Sequence, residues 1–252
     1  MCIRDRGMAA ASTEAGGALA NSIHAHFLRR GTPAKPIHFR VTNLRESKRF
    51  RTFEVIALQD DVPILQMTVS YHDDEPGPVH QIPMDDVGPP HGETYEHALL
   101  RVMTPQARED EAPTFELPVE IRGEDGIGLF SPDVKPPRAR CWMRIRERLD
   151  DDPVLHQLLF AYASDYAIMV PALNAHPIVV SDVLSASLDH AIWFHRPFRI
   201  DDWTLFELDS PVAAGARAIG RGLLYTQEGE LVASCVQESL VRPLAEKRQV
   251  GR

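Results

Sequence analysis

Phe27-Leu28-Arg29-Arg30-Gly31 opens a run of strand-like segments, Ile37-His38-Phe39-Arg40-Val41, Phe53–Leu58 and Ile64–Tyr71, whose pattern returns later in the chain. When Phe27 is laid on Phe194, Arg29 falls on Arg196, Phe39 on Phe206, Ile56 on Leu223, Ile64 on Leu231 and Val69 on Val236, with no gap across residues 27–70. The turn at 59–63 then falls on the turn at 226–230. Identities are few, but the alternation, the turn position and the Phe-x-Arg opening coincide. A pattern repeated over this length reads as one supersecondary unit used twice. Its period of two, broken by turn residues, makes the unit an antiparallel meander.

Each copy also carries a helix. Residues 8–20 are rich in Ala and Gly and read as the tail of one. In the second copy Asp152 suits an N-cap and Pro153 the first turn. Leu155, Leu158, Tyr162, Asp165 and Met169 follow at helical spacing, and Pro171 is expected to end the helix. Further strands are expected at Phe115–Ile121, Ala139–Arg146, Leu188–Phe194, Trp203–Leu208, Ala216–Tyr225 and Leu231–Leu240, with a short helix near Glu93–Arg101. The polar, Pro-rich stretch 72–112 reads as a linker. The expected organisation is α+β: a first unit at 8–112 that includes the linker, and a second at 113–252. Each sheet wraps its helix, and the two join edge to edge, which also protects edge strands.

Composition narrows the function. The chain has 252 residues, 44% of them apolar and 25% charged, as in ordinary globular proteins. A net charge of −9 gives no electrostatic reason to expect nucleic acid, so a polyanionic ligand would need local Arg or Lys. Cys2, Cys141 and Cys235 form neither a disulfide framework nor a zinc pattern, which points to reduced thiols and the cytoplasm. No apolar run approaches a membrane span of about 18 residues, and no secretory h-region is visible. Met1-Cys2-Ile3-Arg4-Asp5-Arg6 resembles read-through of an adaptor oligonucleotide, so the native start is expected to be missing and the first unit incomplete.

Several side chains are candidates for chemistry. Asp165 lies on the expected helical stripe between Tyr162 and Met169, where a carboxylate loses hydration and needs partners or a cleft. Ser187 reads equally as a turn serine, and Gln237 as a polar strand residue facing water. His190 and His195 match no zinc spacing and fall on opposite strand faces, which favours structural roles; His24 and His26 share a face without a third ligand. Asp189 and His190, as strand neighbours, face apart. Arg29, Arg196 and Arg221 are the basic groups a phosphate would need. No G-x-S-x-G elbow or P-loop is present, and Gly126-Ile127-Gly128 lacks the third glycine of a dinucleotide turn. No cofactor and no metal are expected.

The chain resembles the acyl-CoA thioesterase II family. The residues that carry this are His26-Phe27-Leu28-Arg29-Arg30-Gly31, Ala163-Ser164-Asp165-Tyr166, Leu188-Asp189-His190-Ala191-Ile192-Trp193-Phe194-His195-Arg196-Pro197-Phe198 and Tyr225-Thr226-Gln227-Glu228-Gly229-Glu230-Leu231-Val232-Ala233-Ser234. The resemblance implies a double-hotdog fold and hydrolysis of a fatty or related acyl-CoA. It implies Asp165, Ser187 and Gln237 as the groups that bind and orient the attacking water, with acyl-CoA as substrate and self-association into homo-oligomers expected by analogy. Two other readings stand beside it. A hotdog enoyl-CoA hydratase or dehydratase would need Asp165 to converge with His190 or His195. A non-catalytic acyl-CoA binder would hold the ligand without turnover.

Overall fold

A computed structural model describes residues 3–103, 116–123 and 132–244. The expected unit boundary at 112/113 and the Gly126-Ile127-Gly128 segment lie outside these residues. The chain begins with α1 (Arg4–Glu14), which a Schellman turn closes: Gly17 N–H reaches Ser12 O at 3.0 Å, Gly16 N–H reaches Thr13 O at 3.2 Å, and Gly16 has φ +69°. Four strands follow, β1 (Ala20–Phe27), β2 (His38–Glu46), β3 (Phe50–Gln59) and β4 (Val62–His72). Asp60 and Asp61, both at positive φ, make the two-residue turn between β3 and β4, a backbone pattern that matches the twist of its strands.

After residues 73–92 come β5 (Glu93–Thr94), α2 (Tyr95–Met103), β6 (Val119–Gly123) and β7 (Arg138–Ile145). The second meander is preceded by α3 (Pro153–Ala163) and α4 (Val170–Asn174). It comprises β8 (Val183–Ser187), β9 (Asp189–Phe194), β10 (Thr204–Ala214), β11 (Arg217–Thr226) and β12 (Leu231–Pro243). All pair antiparallel in one 12-stranded sheet of order β2-β3-β4-β1-β9-β12-β11-β10-β7-β6-β5, with β8 also on β12. The order β2-β3-β4-β1 is mirrored by β10-β11-β12-β9, and the two runs meet where β1 pairs β9, from Ser22↔Trp193 to His26↔Asp189.

The sequence repeat is thus a repeat of hydrogen bonding, with one correction: the turn of the second copy is one residue longer, so Ile64 corresponds to Val232 and not Leu231, and Val69 to Gln237 and not Val236. Leu28 and Arg29 N–H both reach Ile64 O, and His195 and Arg196 N–H both reach Val232 O. The arginines then bond a nearby carbonyl of the same hairpin, Arg29 on Pro63 O and Arg196 on Leu231 O, each at 2.8 Å. Arg221 is held by Asp209, so all three arginines considered for phosphate already have protein partners.

Two expectations about α3 are corrected. Asp152 does cap it, accepting from Val154 N–H at 3.0 Å, but the helix ends at Ala163, and Pro171 starts α4 instead of ending α3. The buried face is His156, Gln157, Phe160, Ala161 and Ala163, while Leu155, Leu158 and Tyr162 are only half-buried. Polar groups on that face find partners: Gln157 accepts from Ala20 N–H at 3.0 Å and donates to Ala20 O at 2.9 Å, and His156 Nδ1 accepts from Ile200 N–H at 3.3 Å. A stripe chosen by hydrophobicity alone misses a face on which Gln157 is bonded at both ends and His156 through Nδ1. Phe160 is fully buried and packs edge-on against Phe194, Phe198 and Phe206.

The second half of the sheet is covered on both sides. Cys141, Met143, Phe206 and Leu224 belong to the main core, while Trp142, Leu205 and Tyr225 form a separate cluster with Met84 and Val87. Residues 81–88 of the Pro-rich stretch are therefore a strap pinned to this outer face. Gln81 donates to Gly229 O (2.7 Å), Tyr225 to Ile82 O (3.2 Å), Asp85 N–H to Glu207 Oε1 (2.9 Å) and Trp142 Nε1 to Gly88 O (3.1 Å). Among the described residues no helix is long and apolar enough to cross a membrane.

Candidate active site

β8 and β9 run along the same edge of β12, and a bulge separates them. Ser187 faces Ser239 and Ala191 faces Val236, so four steps on one side match three on the other. The surplus falls at Leu188 and Asp189, which both serve Glu238: Leu188 N–H donates to Glu238 O at 2.9 Å, and Glu238 N–H donates to the Asp189 carboxylate at 2.8 Å. An extra residue reverses the inward–outward alternation beyond it. Ser187 and His190, three apart and expected on opposite faces, consequently both turn to the Gln237 side chain.

Gln237 is not at a water-facing strand end. It lies within β12 and is 1% exposed. Its Nε2 donates to Ser187 Oγ at 3.0 Å and to Ser239 Oγ at 3.1 Å, and its Oε1 meets His190 Nδ1 in a short contact. Ser187 is the last residue of β8, not a loop residue, and its hydroxyl donates to Asp165 Oδ1 at 3.3 Å. Asp165, Ser187 and Gln237 thus come together from a turn and two strands. Asp165 departs from expectation. It lies on the turn after α3 and is exposed, so its significance comes from its partner and not from burial on an apolar stripe.

The same turn is held from two sides. Ser164 is fully buried and its Oγ lies 3.2 Å from His190 Nε2. Below it runs β11, where Gly220 pairs with Gln237; a Cβ at Gly220 would sit 2.2 Å from the Ile168 carbonyl oxygen. Only a glycine lets the turn approach the sheet this closely. Tyr95, Tyr162 and Tyr166 stand next to Asp165. Tyr162 and Tyr166 share a 2.5 Å hydroxyl contact, and Tyr95 packs edge-on against Tyr166. Burial, and then the Asp165 charge, raise the Tyr95 hydroxyl above its usual pKa.

Burial, helped by the nearby Arg4 charge, holds the His190 ring well below its usual pKa. The sign of the resulting pH dependence follows. Above about pH 6.5 the ring is neutral folded or unfolded and adds nothing. Below that, the unfolded chain takes up a proton that the folded chain refuses, costing about 1.4 kcal/mol per pH unit. The urea midpoint should therefore fall between about pH 7 and about pH 5.5. His24 and His195, whose pKa values burial also lowers, add to the fall, and it should be shallower in His190→Gln, which removes this one titration.

Sequence reasoning weighed His190 and favoured a structural role for it, and it gave Ser164 no role of its own; the structure brings both into the site. The available signal was a His on an apolar strand; its convergence with Ser187 depends on a bulge that the residue types do not announce. His190 does not converge with Asp165, since its ring nitrogens face Gln237 and Ser164. His195 is exposed and bonds Ser234 at 2.8 Å. Among the described residues no three His, Cys, Asp or Glu side chains are placed to hold a metal ion.

Comparison with known proteins bears on the family and the fold. A family model described as acyl-CoA thioesterase matches residues 110–240, and one described as acyl-CoA thioesterase N-terminal domain matches residues 7–72. Acyl-coenzyme A thioesterase 8 of Homo sapiens is 34% identical over 232 residues, covering 88% of this chain and 73% of that protein. The acyl-CoA thioesterase II crystal structure from Mycobacterium marinum superposes with a TM-score of 0.74 at 32% identity, over 91% of this chain and 83% of that one. A hot dog fold protein of Alicyclobacillus acidocaldarius, at 17% identity and a TM-score of 0.64, covers 90% of this chain and 80% of that one and shares the fold. Matched in both halves by the family's own models and along most of its length by a relative, this hotdog-fold chain belongs to the acyl-CoA thioesterase family, enzymes that hydrolyse acyl-CoA thioesters.

Proposed function

We propose that the chain is a double hotdog, with units at 8–112 and 113–252, that hydrolyses fatty acyl-CoA by direct attack of a water held by Asp165, Ser187 and Gln237. The observation that carries this reading is the hydrogen-bonded line Gln237–Ser187–Asp165, which ends on an exposed carboxylate. The 3.3 Å contact between Ser187 and Asp165 is long and easily opened. A water entering there is oriented by the Ser187 hydroxyl and by the Gln237 N–H groups behind it. As its oxygen bonds to the thioester carbonyl carbon, Asp165 takes its proton. The tetrahedral adduct then expels the CoA sulfur, and Asp165 returns the proton to that thiolate. Fixing the water in place supplies a large part of the rate, because orientation is paid before the reaction starts.

His190 engages Gln237 and Ser164 and so is not free to pair with Asp165 on an acyl chain, which disfavours the hydratase reading. Cys141 and Cys235 are buried free thiols, which suits the reducing cytoplasm expected from the sequence.

The test is thiol release from a panel of saturated acyl-CoAs in ¹⁸O-labelled water under single turnover. Direct attack puts one ¹⁸O into the acid, with no acyl-enzyme trapped by hydroxylamine. Trapping of an acyl-enzyme overturns the mechanism, and tight binding without thiol release overturns the activity.

A further inference from the structure

We propose that His190 is a positioning residue of this site: its Nδ1–H holds the Gln237 carboxamide in the one orientation that aims Nε2–H at Ser187 and leaves the Ser187 proton for Asp165. The inference rests on the reading of Asp165, Ser187 and Gln237 given above.

A buried carboxamide can be turned end for end with little change in shape, exchanging its donor and acceptor. Two closed networks therefore fit these heavy atoms. In one, His190 donates from Nδ1 to Gln237 Oε1, Gln237 donates to Ser187 and Ser239, and Ser164 gives its single proton to His190 Nε2 at 3.2 Å in preference to Ala161 O, which lies farther off at 3.4 Å. In the other every bond is reversed: Gln237 donates to His190 Nδ1, both serines donate to Gln237 Oε1, and His190 donates to Ser164. The contact of Ser187 with Asp165 decides between them. A carboxylate has no proton to give, so Ser187 must donate across that 3.3 Å. With its single proton committed, Ser187 can only accept from Gln237, so Oε1 faces His190 and the ring must carry its proton on Nδ1. The imidazole tautomer thus sets the polarity of the whole line.

The backbone builds this arrangement on purpose-made geometry. The bulge at Leu188 and Asp189 brings His190 onto the same face as Ser187. His190 is fully buried, and its other nitrogen grips Ser164, the residue before Asp165. One ring therefore ties the carboxamide and the carboxylate-bearing turn together.

Two experiments test this. ¹⁵N spectra of the wild-type His190 ring should show Nδ1 protonated and Nε2 bare at neutral pH; the opposite tautomer overturns the proposal. In kinetics, His190→Phe, which keeps bulk and removes both bonds, should lower kcat about 10- to 100-fold with KM little changed. His190→Asn, which returns an N–H near the Nδ1 position, should recover part of the loss. In a Gln237→Ala background, His190→Phe should cost little more. An equal cost in both backgrounds makes His190 a packing residue and overturns the proposal. If Asp165→Asn and Gln237→Ala are as active as wild type, the underlying reading fails. If they are impaired while His190→Phe is not, only the His190 inference fails.

Discussion

Asp165→Asn should lower kcat for acyl-CoA hydrolysis by about 10²- to 10⁴-fold and leave KM little changed, the range expected when a general base is removed. The substitution isolates the chemistry. Asp165 is exposed, on a turn, and its recorded bond is the one it accepts from Ser187. An Asn side chain keeps that acceptor oxygen and the same shape, but it cannot take a proton from water. The fold should therefore be unaffected, and substrate binding, made by other groups, should persist. Thiol release measured under saturating acyl-CoA checks the expectation. Full activity in the variant would mean that the proton goes elsewhere, and the role given to Asp165 would be withdrawn.

Gly220→Ala should reduce both stability and activity, without touching any reacting group. Its Cβ would lie 2.2 Å from the Ile168 carbonyl oxygen, 3.0 Å from Ile168 Cγ1 and 3.1 Å from the carbonyl carbon. A backbone oxygen cannot rotate aside as a side chain would. Either the 164–169 turn lifts or β11 bows, and both carry consequences, because Gly220 pairs with Gln237 and the turn bears Asp165. Overpacking of this kind costs about 1–3 kcal/mol. A shift of about 1 Å between positioned groups costs on the order of 10²-fold in rate. Urea denaturation and kcat should therefore fall together in this variant. A stable but inactive protein would place the yielding element at the turn; wild-type values for both would show that the turn is not seated on β11.

Much of the scaffold was legible because it rests on periodicity and turn chemistry. The Phe27/Phe194 register anticipates the mirrored meanders, Asp60-Asp61 the tight hairpin, and Asp152-Pro153 the start of α3. The failures have physical causes. Hydrophobicity extended α3 through Asp165 because hydrogen-bonded polar groups such as Gln157 look unsuited to a core. Ser187 reads as a turn serine, whereas it ends β8, and its convergence with His190 depends on a one-residue bulge that no residue type announces. The stretch around Gln81 reads as linker by composition, yet it covers Trp142, Leu205 and Tyr225, since a polar segment can lend its backbone and a few apolar side chains to a sheet face. Asp165 stood out from the expected stripe, a reason the fold does not bear out, while Ser187 and Gln237 rested on the resemblance; taken alone, each side chain had an ordinary explanation.

The paired donors at Leu28/Arg29 and at His195/Arg196 fix which positions of the two meanders correspond. By that correspondence Ala20 takes the place of Ser187, and Val69 takes the place of Gln237; both are buried and apolar. On the proposed reading the stoichiometry is therefore one reaction centre to two meanders. The silent copy is not idle, since β1 closes the side of β9 that a single sheet would leave open. The two copies answer to different demands: one needs a proton path, the other only a surface that fits. What they share is a demand on the backbone, so the repeat is plain in its hydrogen bonds and faint in its letters.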